Sequence, residues 1–343
     1  MKRVTMQEIA KRAGVTKATV SMAVNGSKRI GEATGKKIMD IVRELNYIPN
    51  ESARKLALGR SGAIAVIAPR YNGPFMMSVL NAFEEKAFAT GRYLHSIQAY
   101  STMHKIDIRE KLLKQILYGR KADAVVLISL RPDDETVELY KKEGIPMILM
   151  ENKVKGAHSI NIDNEAGVYK AADYLIKKYG NKITFVSSMP ARSNDAELNP
   201  VYDARLNGFK SALKDNGIKF RNAMVAYTPG FEYHEAPAAY KELKKNNAGI
   251  NSILCSTGDK VAFGIIEAVK KDGLKVPADI AVIGFDDLLP LTLLSSPKIT
   301  TIRQDFEEIG CAAFDMVMAA IKDKPAKDMN VIIEPELIIR ESA

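Results

Sequence analysis

A strand-and-helix alternation that runs once and then restarts limits this chain most. From Ala63, the apolar runs AIAVIAP, RYLHSIQA, DAVVLISL and PMILM are separated by helical stretches near Phe75 to Thr90, through Ile116, and near Glu135 to Glu143. A helix from Asn164 to Tyr179 reopens the pattern. It continues as ITFVSS, MVAYTP, SILCST and IAVIGFD, with helices around Tyr202 to Asn216, ending near Lys245, and from Lys260 to Lys271. Such alternation predicts parallel sheets covered by helices, here as two similar α/β halves. Ligands of such sheets bind outside the carboxyl ends of the strands, so a small-molecule cleft between the halves is expected. After Pro290 come the strand TTIRQ, a helix over 305–322 and the run VIIEPELIIR, pieces whose assignment to either half the sequence pattern alone does not fix.

The residues before Ala63 are of another kind. Residues 1–60 hold 13 Lys or Arg and 5 Asp or Glu, a local net charge of +8 out of +9 for all 343 residues. A small basic module set apart from a nearly neutral body points to a polyanion partner. Its periodicity predicts three short helices. Met6, Ile9, Ala10 and Ala13 share one helical face, with Thr5 and Glu8 as a capping box and Gly14 as the stop. After the AGVT turn Thr16 caps KATVSMAVN, which ends at Asn25-Gly26, and a third helix runs from about Glu32 to Leu45. In the second helix Val20 and Val24 face inward, leaving Lys17, Ala18, Ser21 and Met22 outward. A helix face of this kind fits the DNA major groove, where Lys reaches guanine acceptors and Ala or Met meets a thymine methyl. Thr5, Thr16, Thr19, Ser21 and Thr34 suit phosphate contacts, and Arg29 is a further DNA-binding candidate. A three-helix bundle that binds protein is the bland alternative. In the linker PNESARKLALGR, Asn50 caps an incipient helix too short to stand alone. Leu56, flanked by Arg54, Lys55 and Arg60, suits an apolar wedge in a minor groove, the alternative being packing on the next domain.

Catalytic signatures are missing. There is no GxGxxG or GxSxG, GEATGKK is one residue short of a phosphate loop, and the four histidines are scattered. Cys255 and Cys311 lie far apart with no metal-site spacing. No enzyme activity, cofactor or metal is therefore expected. MKRVTMQEIAKRAG is charged where an export signal has its apolar stretch, which predicts a cytoplasmic chain without a membrane partner.

Two stretches, TMQEIAKRAGVTKATVSMAVNG and ELNYIPNESARKLALGRSGAIAVIAP, followed by RLNGF, GLKVPADIAVIGFDD and TTIRQ, resemble the LacI/GalR family of bacterial transcription regulators over essentially the whole length. The resemblance implies a helix-turn-helix headpiece and a periplasmic-binding-protein-like core of two doubly wound subdomains. It implies a homodimer, or a tetramer, on a nearly palindromic operator, usually repressing, and a core that senses a sugar or related metabolite. It places Lys17, Ala18 and Met22 at base-reading positions, Leu56 in the minor groove, and Asn25, Thr34 and Tyr47 at backbone-contacting or supporting positions. It assigns Arg205 and Asp286 to ligand polar groups and Asn72 to Phe75 to the opposite wall, with Asp259 and Asp163 as further candidates, although Asp163 suits a turn equally. Met22 stands where the family usually has Arg, Gly31 and Gly35 replace Ser and Arg, and Gly258 replaces Asn. The expected organisation is a headpiece over 1–46, a hinge over 47–60 and a core over 61–343. Within the core, 61–161 with 291–322 form one subdomain and 162–290 with 323–343 the other. A solute-binding protein of a transport system is the rival, since its core would look the same.

Overall fold

The computed structural model describes residues 4–24, 29–47, 60–71, 73–91, 96–188, 200–323 and 328–343. Contacts divide the chain into two compact units, Met1–Ser61 and Gly62–Ala343. In the first, α1 (Met6–Ala13), α2 (Lys17–Val24) and α3 (Glu32–Glu44) are the three expected helices. Thr5 Oγ1 accepts the Glu8 N–H at 3.3 Å, and Gly14 ends α1 at φ 72°. Thr16 Oγ1 accepts the Thr19 N–H at 3.1 Å and so starts α2. Ile9, Ala10, Ala13, Val20, Ile38, Ile41 and Val42 form the core. At about 1.5–3 kcal/mol for each large side chain buried, so small a set leaves little reserve against the entropy of ordering. The expected positions Asn25, Asn50, Arg54, Leu56 and Asn72 lie outside the described residues.

The second unit is two stacked α/β lobes. The first sheet has the order β11-β5-β4-β3-β1-β2, all parallel, built from β1 (Ile64–Ala68), β2 (Ile97–Ser101), β3 (Ala124–Ile128), β4 (Met147–Met150), β5 (His158–Ile162) and β11 (Asn330–Ile333). Strands β1, β3 and β4 are buried on both faces, hence their unbroken apolar runs, whereas β2 and β11 are partly exposed. Ile64, Val66 and Ala68 join the cluster beneath α4 (Pro74–Ala89) and α12 (Phe306–Asp323), where Phe83 and Phe314 meet edge to face at 5.3 Å. Ala65 and Ile67 join the opposite cluster, beneath α5 (Ile106–Tyr118) and α6 (Asp134–Glu143).

The second sheet has the order β12-β10-β9-β8-β6-β7. It contains β6 (Ile183–Ser188), β7 (Val225–Thr228), β8 (Ser252–Cys255), β9 (Ala281–Asp286), β10 (Thr300–Arg303) and β12 (Glu336–Ile338), with only β12 antiparallel. Covering it are α7 (Asn164–Tyr179), α8 (Pro200–Asp215), α9 (Ala236–Asn246) and α10 (Asp259–Lys271), with the short α11 (Leu291–Leu294) after β9.

Two sequence expectations need correction. Strand β5 was missed because polar Ser159 and Asn161 interrupt its apolar residues. The partition of the last third also differs. Residues 291–322 do not belong wholly to the first lobe: β10 pairs with β9 in the second, and only α12 returns to pack on α4. Nor is 323–343 wholly in the second, since β11 pairs with β5. VIIEPELIIR is two strands in different sheets, divided at Glu334-Pro335, because proline cannot donate to a continuing ladder.

Candidate functional site: an exposed helix face and an interlobe cleft

On α2, Val20 is fully buried while Lys17 and Ala18 are exposed and Met22 is 37 % exposed, with Thr19 and Ser21 half-buried beside them. A cation, a methyl and a flexible thioether chain thus share one outer face whose backbone is held by the core below. Thr5 and Thr16 accept backbone N–H bonds at their helix starts, and Thr16 and Thr19 share a hydroxyl–hydroxyl bond of 2.9 Å. Arg29 is exposed, Thr34 is half-buried, and Tyr47 packs against the three-helix core, a supporting place. An Arg12–Glu44 ion pair ties α1 to the end of α3.

The cleft is built around Arg205, whose residue is 5 % exposed. The glycine of RLNGF positions it. A Cβ on Gly208 would lie 2.2 Å from the Glu165 carbonyl oxygen, so only glycine lets α8 lie this close to α7. One turn earlier, Arg205 Nε donates to Asn164 Oδ1 at 2.7 Å, Nη1 donates to the Ser256 carbonyl, and the guanidinium stacks 3.7 Å from the Phe285 ring centroid. With its orientation fixed, Arg205 stands within electrostatic reach of Asp286, Glu151 and Tyr202. Burial pulls the guanidinium below its ordinary value, opposed by the two carboxylates. Burial likewise pushes Asp286 and Glu151 above the usual carboxylate range, against the pull of Arg205. Gln304 donates to Asp286 Oδ1 and Ser129 to Glu151 Oε2. Burial also raises the Tyr202 phenol, against a hydrogen bond with Ser188.

Ser129, Glu151 and Asp286 have φ of 54°, 61° and 97°, and each stands at or just beyond the carboxyl end of a parallel strand. For non-glycine residues this region costs about 1–2 kcal/mol each. Three such residues at the strand ends of both lobes aim side chains into the gap between the sheets, where the doubly wound topology places a ligand. Two carboxylates, a guanidinium and a carboxamide can bind several hydroxyls of a polyol.

Not every expected ligand residue reaches this cleft. Asp259 is fully buried, accepting from the Thr301 hydroxyl at 2.6 Å and the Leu288 N–H at 2.7 Å, so it anchors the loop after β9. The GFDD glycine exists for it: a Cβ on Gly284 would lie 2.1 Å from Asp259 Oδ1. Asp163 takes the turn role, its Oδ1 capping α7 through the Ala166 N–H at 2.9 Å. Phe75 packs edge to face on Phe306 at 5.4 Å and stays half-buried. Gly258, at φ 123°, leaves space beside Asp286, where a Cβ would lie 3.2 Å from Oδ2. Sequence reasoning overlooked Ser129, Glu151, Asn164, Tyr202, Ser256 and Gln304. A legible signal was a polar residue directly after an apolar strand run, as in VVLIS, MILME and SILCS.

Among the described residues no group of His, Cys, Asp and Glu is arranged to hold a metal, and no helix is long and apolar enough to cross a membrane. The family profile "Bacterial regulatory proteins, lacI family" matches residues 5–50, and a periplasmic binding protein-like domain matches residues 172–343, half of the chain. The chain belongs to the LacI family of bacterial regulators. As a LacI-family member it is similar at full length to curated regulators. These include the HTH-type transcriptional regulator RegA of Clostridium saccharobutylicum, 28% identical over 98% of both chains. The HTH-type transcriptional repressor PurR of Photobacterium profundum is also 28% identical over 98% of both. GalR of Escherichia coli is 27% identical over 98% of this chain and 95% of its own. The lac repressor dimer bound to operator and the anti-inducer ONPF shares its fold with TM-score 0.81, at 21% identity over 99% of each chain. The CelR–cellobiose complex aligns with TM-score 0.68, at 24% identity over 99% of this chain and 100% of that one.

Proposed function

We propose that this LacI-family protein is a cytoplasmic, homodimeric, sequence-specific repressor whose operator affinity is set by a sugar or related metabolite bound between the core lobes. The carrying observation is the exposed Lys17–Ala18–Met22 face of α2, on the same chain as a cleft where Arg205, Asp286 and Glu151 converge. Residues 1–46 act as headpiece, 47–60 as hinge and 61–343 as core. Lys17, Ala18, Ser21 and Met22 read bases, while Thr5, Thr16, Thr19, Arg29 and Thr34 contact phosphates. Asn25, Tyr47, Asn50, Arg54 and Leu56 complete the DNA contacts. Met22 in place of the family's Arg exchanges a guanine-directed fork for an apolar contact, so the half-site differs from that of Arg-bearing relatives. A ligand that closes the cleft binds one lobe arrangement better and so biases DNA binding. A match over nearly the whole length, headpiece included, favours this reading over a transport solute-binding protein.

The test is retention of genomic fragments by the full-length protein at low salt, followed by footprinting. A protected palindrome is expected, with affinity falling steeply as salt rises. Lys17→Ala is expected to weaken operator binding by about 1–3 kcal/mol while leaving the melting temperature unchanged. Failure to retain any fragment in the presence or absence of a metabolite panel overturns the reading.

A further inference from the structure

Beside the cleft lies a second cavity of about 530 Å³, lined by Arg131, Asn152, Lys153, Ser159, Asn161 and Asn330, with Ile332 and Pro200 closing it. Ser159 and Asn161 alternate with Ile160 and Ile162, which face the α4–α12 layer. The cavity therefore opens on the other face of the first sheet, over its β5–β11 edge. Adjacent residues separate the two chambers: Glu151 points toward Arg205, while Asn152 lines this one.

Its chemistry is one-sided. Among the described residues, none of the eight that line it is acidic, two are cationic, and four are amide or hydroxyl side chains. Lys153 is exposed with no ion pair among the described residues, and Arg131 has only a 3.5 Å contact with exposed Asp134. Ser159 donates to Asn330 Oδ1 at 2.9 Å, and the Asn330 amide donates to the Asp328 carbonyl at 3.2 Å. Asn152 is the decisive residue. It is 5 % exposed, yet its side chain makes no hydrogen bond among the described residues. Its polar atoms are not fully enclosed but open to the cavity, so the unpartnered carboxamide offers its N–H groups to a ligand there. Pro200 is the first residue of the 16-residue α8, whose positive dipole end adds to the same sign.

We propose that this cavity binds a small metabolite carrying an oxyanion, phosphate or carboxylate, held by Lys153, Arg131 and the Asn152 amide, as a site distinct from the Arg205 cleft. Its volume suits a metabolite rather than a bare ion. Because its walls come from the first lobe and from Pro200 of the second, occupancy responds to lobe separation and supplies a second input to the same motion.

Calorimetry on the full-length protein tests it, with inorganic phosphate, glycerol 3-phosphate and citrate as probes and glycerol as control. One equivalent of an anionic probe is expected to bind and glycerol is not. Phosphates alone assign the site to phosphoryl groups, citrate alone to carboxylates. Lys153→Glu, at an exposed position, and Asn152→Asp are each expected to weaken binding at least about tenfold, as loss of a charge-assisted contact should. Lys17→Glu and Arg205→Lys are expected to leave it unchanged. Absence of binding by all three anions overturns the proposal. So does binding that survives Lys153→Glu but falls in Lys17→Glu or Arg205→Lys, since that places the anion on the headpiece or in the Arg205 cleft. Loss of DNA retention with anion binding intact would instead count against the regulator reading alone.

Discussion

The α2 face and the interlobe cleft prepare for their partners in opposite ways. On α2 the contact side chains point outward from a seven-residue core and make few bonds with one another. In the cleft, Arg205, Asn164, Ser256, Gln304 and Asp286 are joined by hydrogen bonds and charge before any ligand arrives. On the proposed reading, specificity on α2 would reside in removable side chains on an indifferent scaffold. In the cleft the proposed recognition residues are also part of the scaffold.

The largest test of that contrast is Arg205→Leu. Removing one partner from a buried charged cluster leaves Asp286 and Glu151 without their shared cation, at an expected cost of about 3–5 kcal/mol to the core. Urea titration of the full-length protein checks it, with the headpiece helices followed separately. A loss below 1 kcal/mol would mean that the cleft is as loosely built as the α2 face, and the contrast fails.

The same contrast governs what the sequence could disclose. Helical periodicity on α2 separates Val20 from Lys17, Ala18 and Met22 without knowledge of any other element, because a helix defines its own faces. The strand runs of the core, β5 excepted, were also legible, since burial on both faces leaves an apolar signature. The cleft was legible only in part. Arg205 and Asp286 came from family motifs, whereas Glu151, Gln304 and Asn164 are ordinary polar residues brought together where strand ends meet across two lobes. Asp259 misled because an acidic residue at a helix start reads alike whether it faces a ligand or caps a buried loop. The allocation of β10 and β11 was illegible for the same reason: local pattern specifies a strand but not its sheet.

A smaller effect sharpens the electrostatic side. Glu151 is held above the ordinary carboxylate range, so the folded chain binds its proton more tightly than the unfolded chain does. Stability from this group is therefore full below its unfolded value and is lost as pH rises through the window up to its folded value. Glu151→Gln is expected to flatten this part of the pH–stability profile and to raise stability at neutral pH relative to wild type. Thermal melts of both proteins across the acidic range check this. Parallel profiles would show that Arg205 already neutralises the carboxylate.

The smallest effect belongs to the headpiece, where the chain departs from its family. Gly31 precedes α3 at φ −59°, a conformation any residue adopts, and no side chain caps the helix there. A Cβ at this position would meet nothing within 4 Å. Gly31→Ser therefore adds an acceptor for the first turn without strain, and is expected to stabilise the headpiece by a few tenths of a kcal/mol, about the usual gap between glycine and serine caps. Serine at position 31 also offers a hydroxyl to a phosphate, so operator affinity is expected to rise together with headpiece stability. Headpiece melting and anisotropy titration measured together separate the two contributions. A stability gain with unchanged affinity would mean that position 31 only caps α3, and would confine DNA contact near it to the α2 face, Arg29 and Thr34.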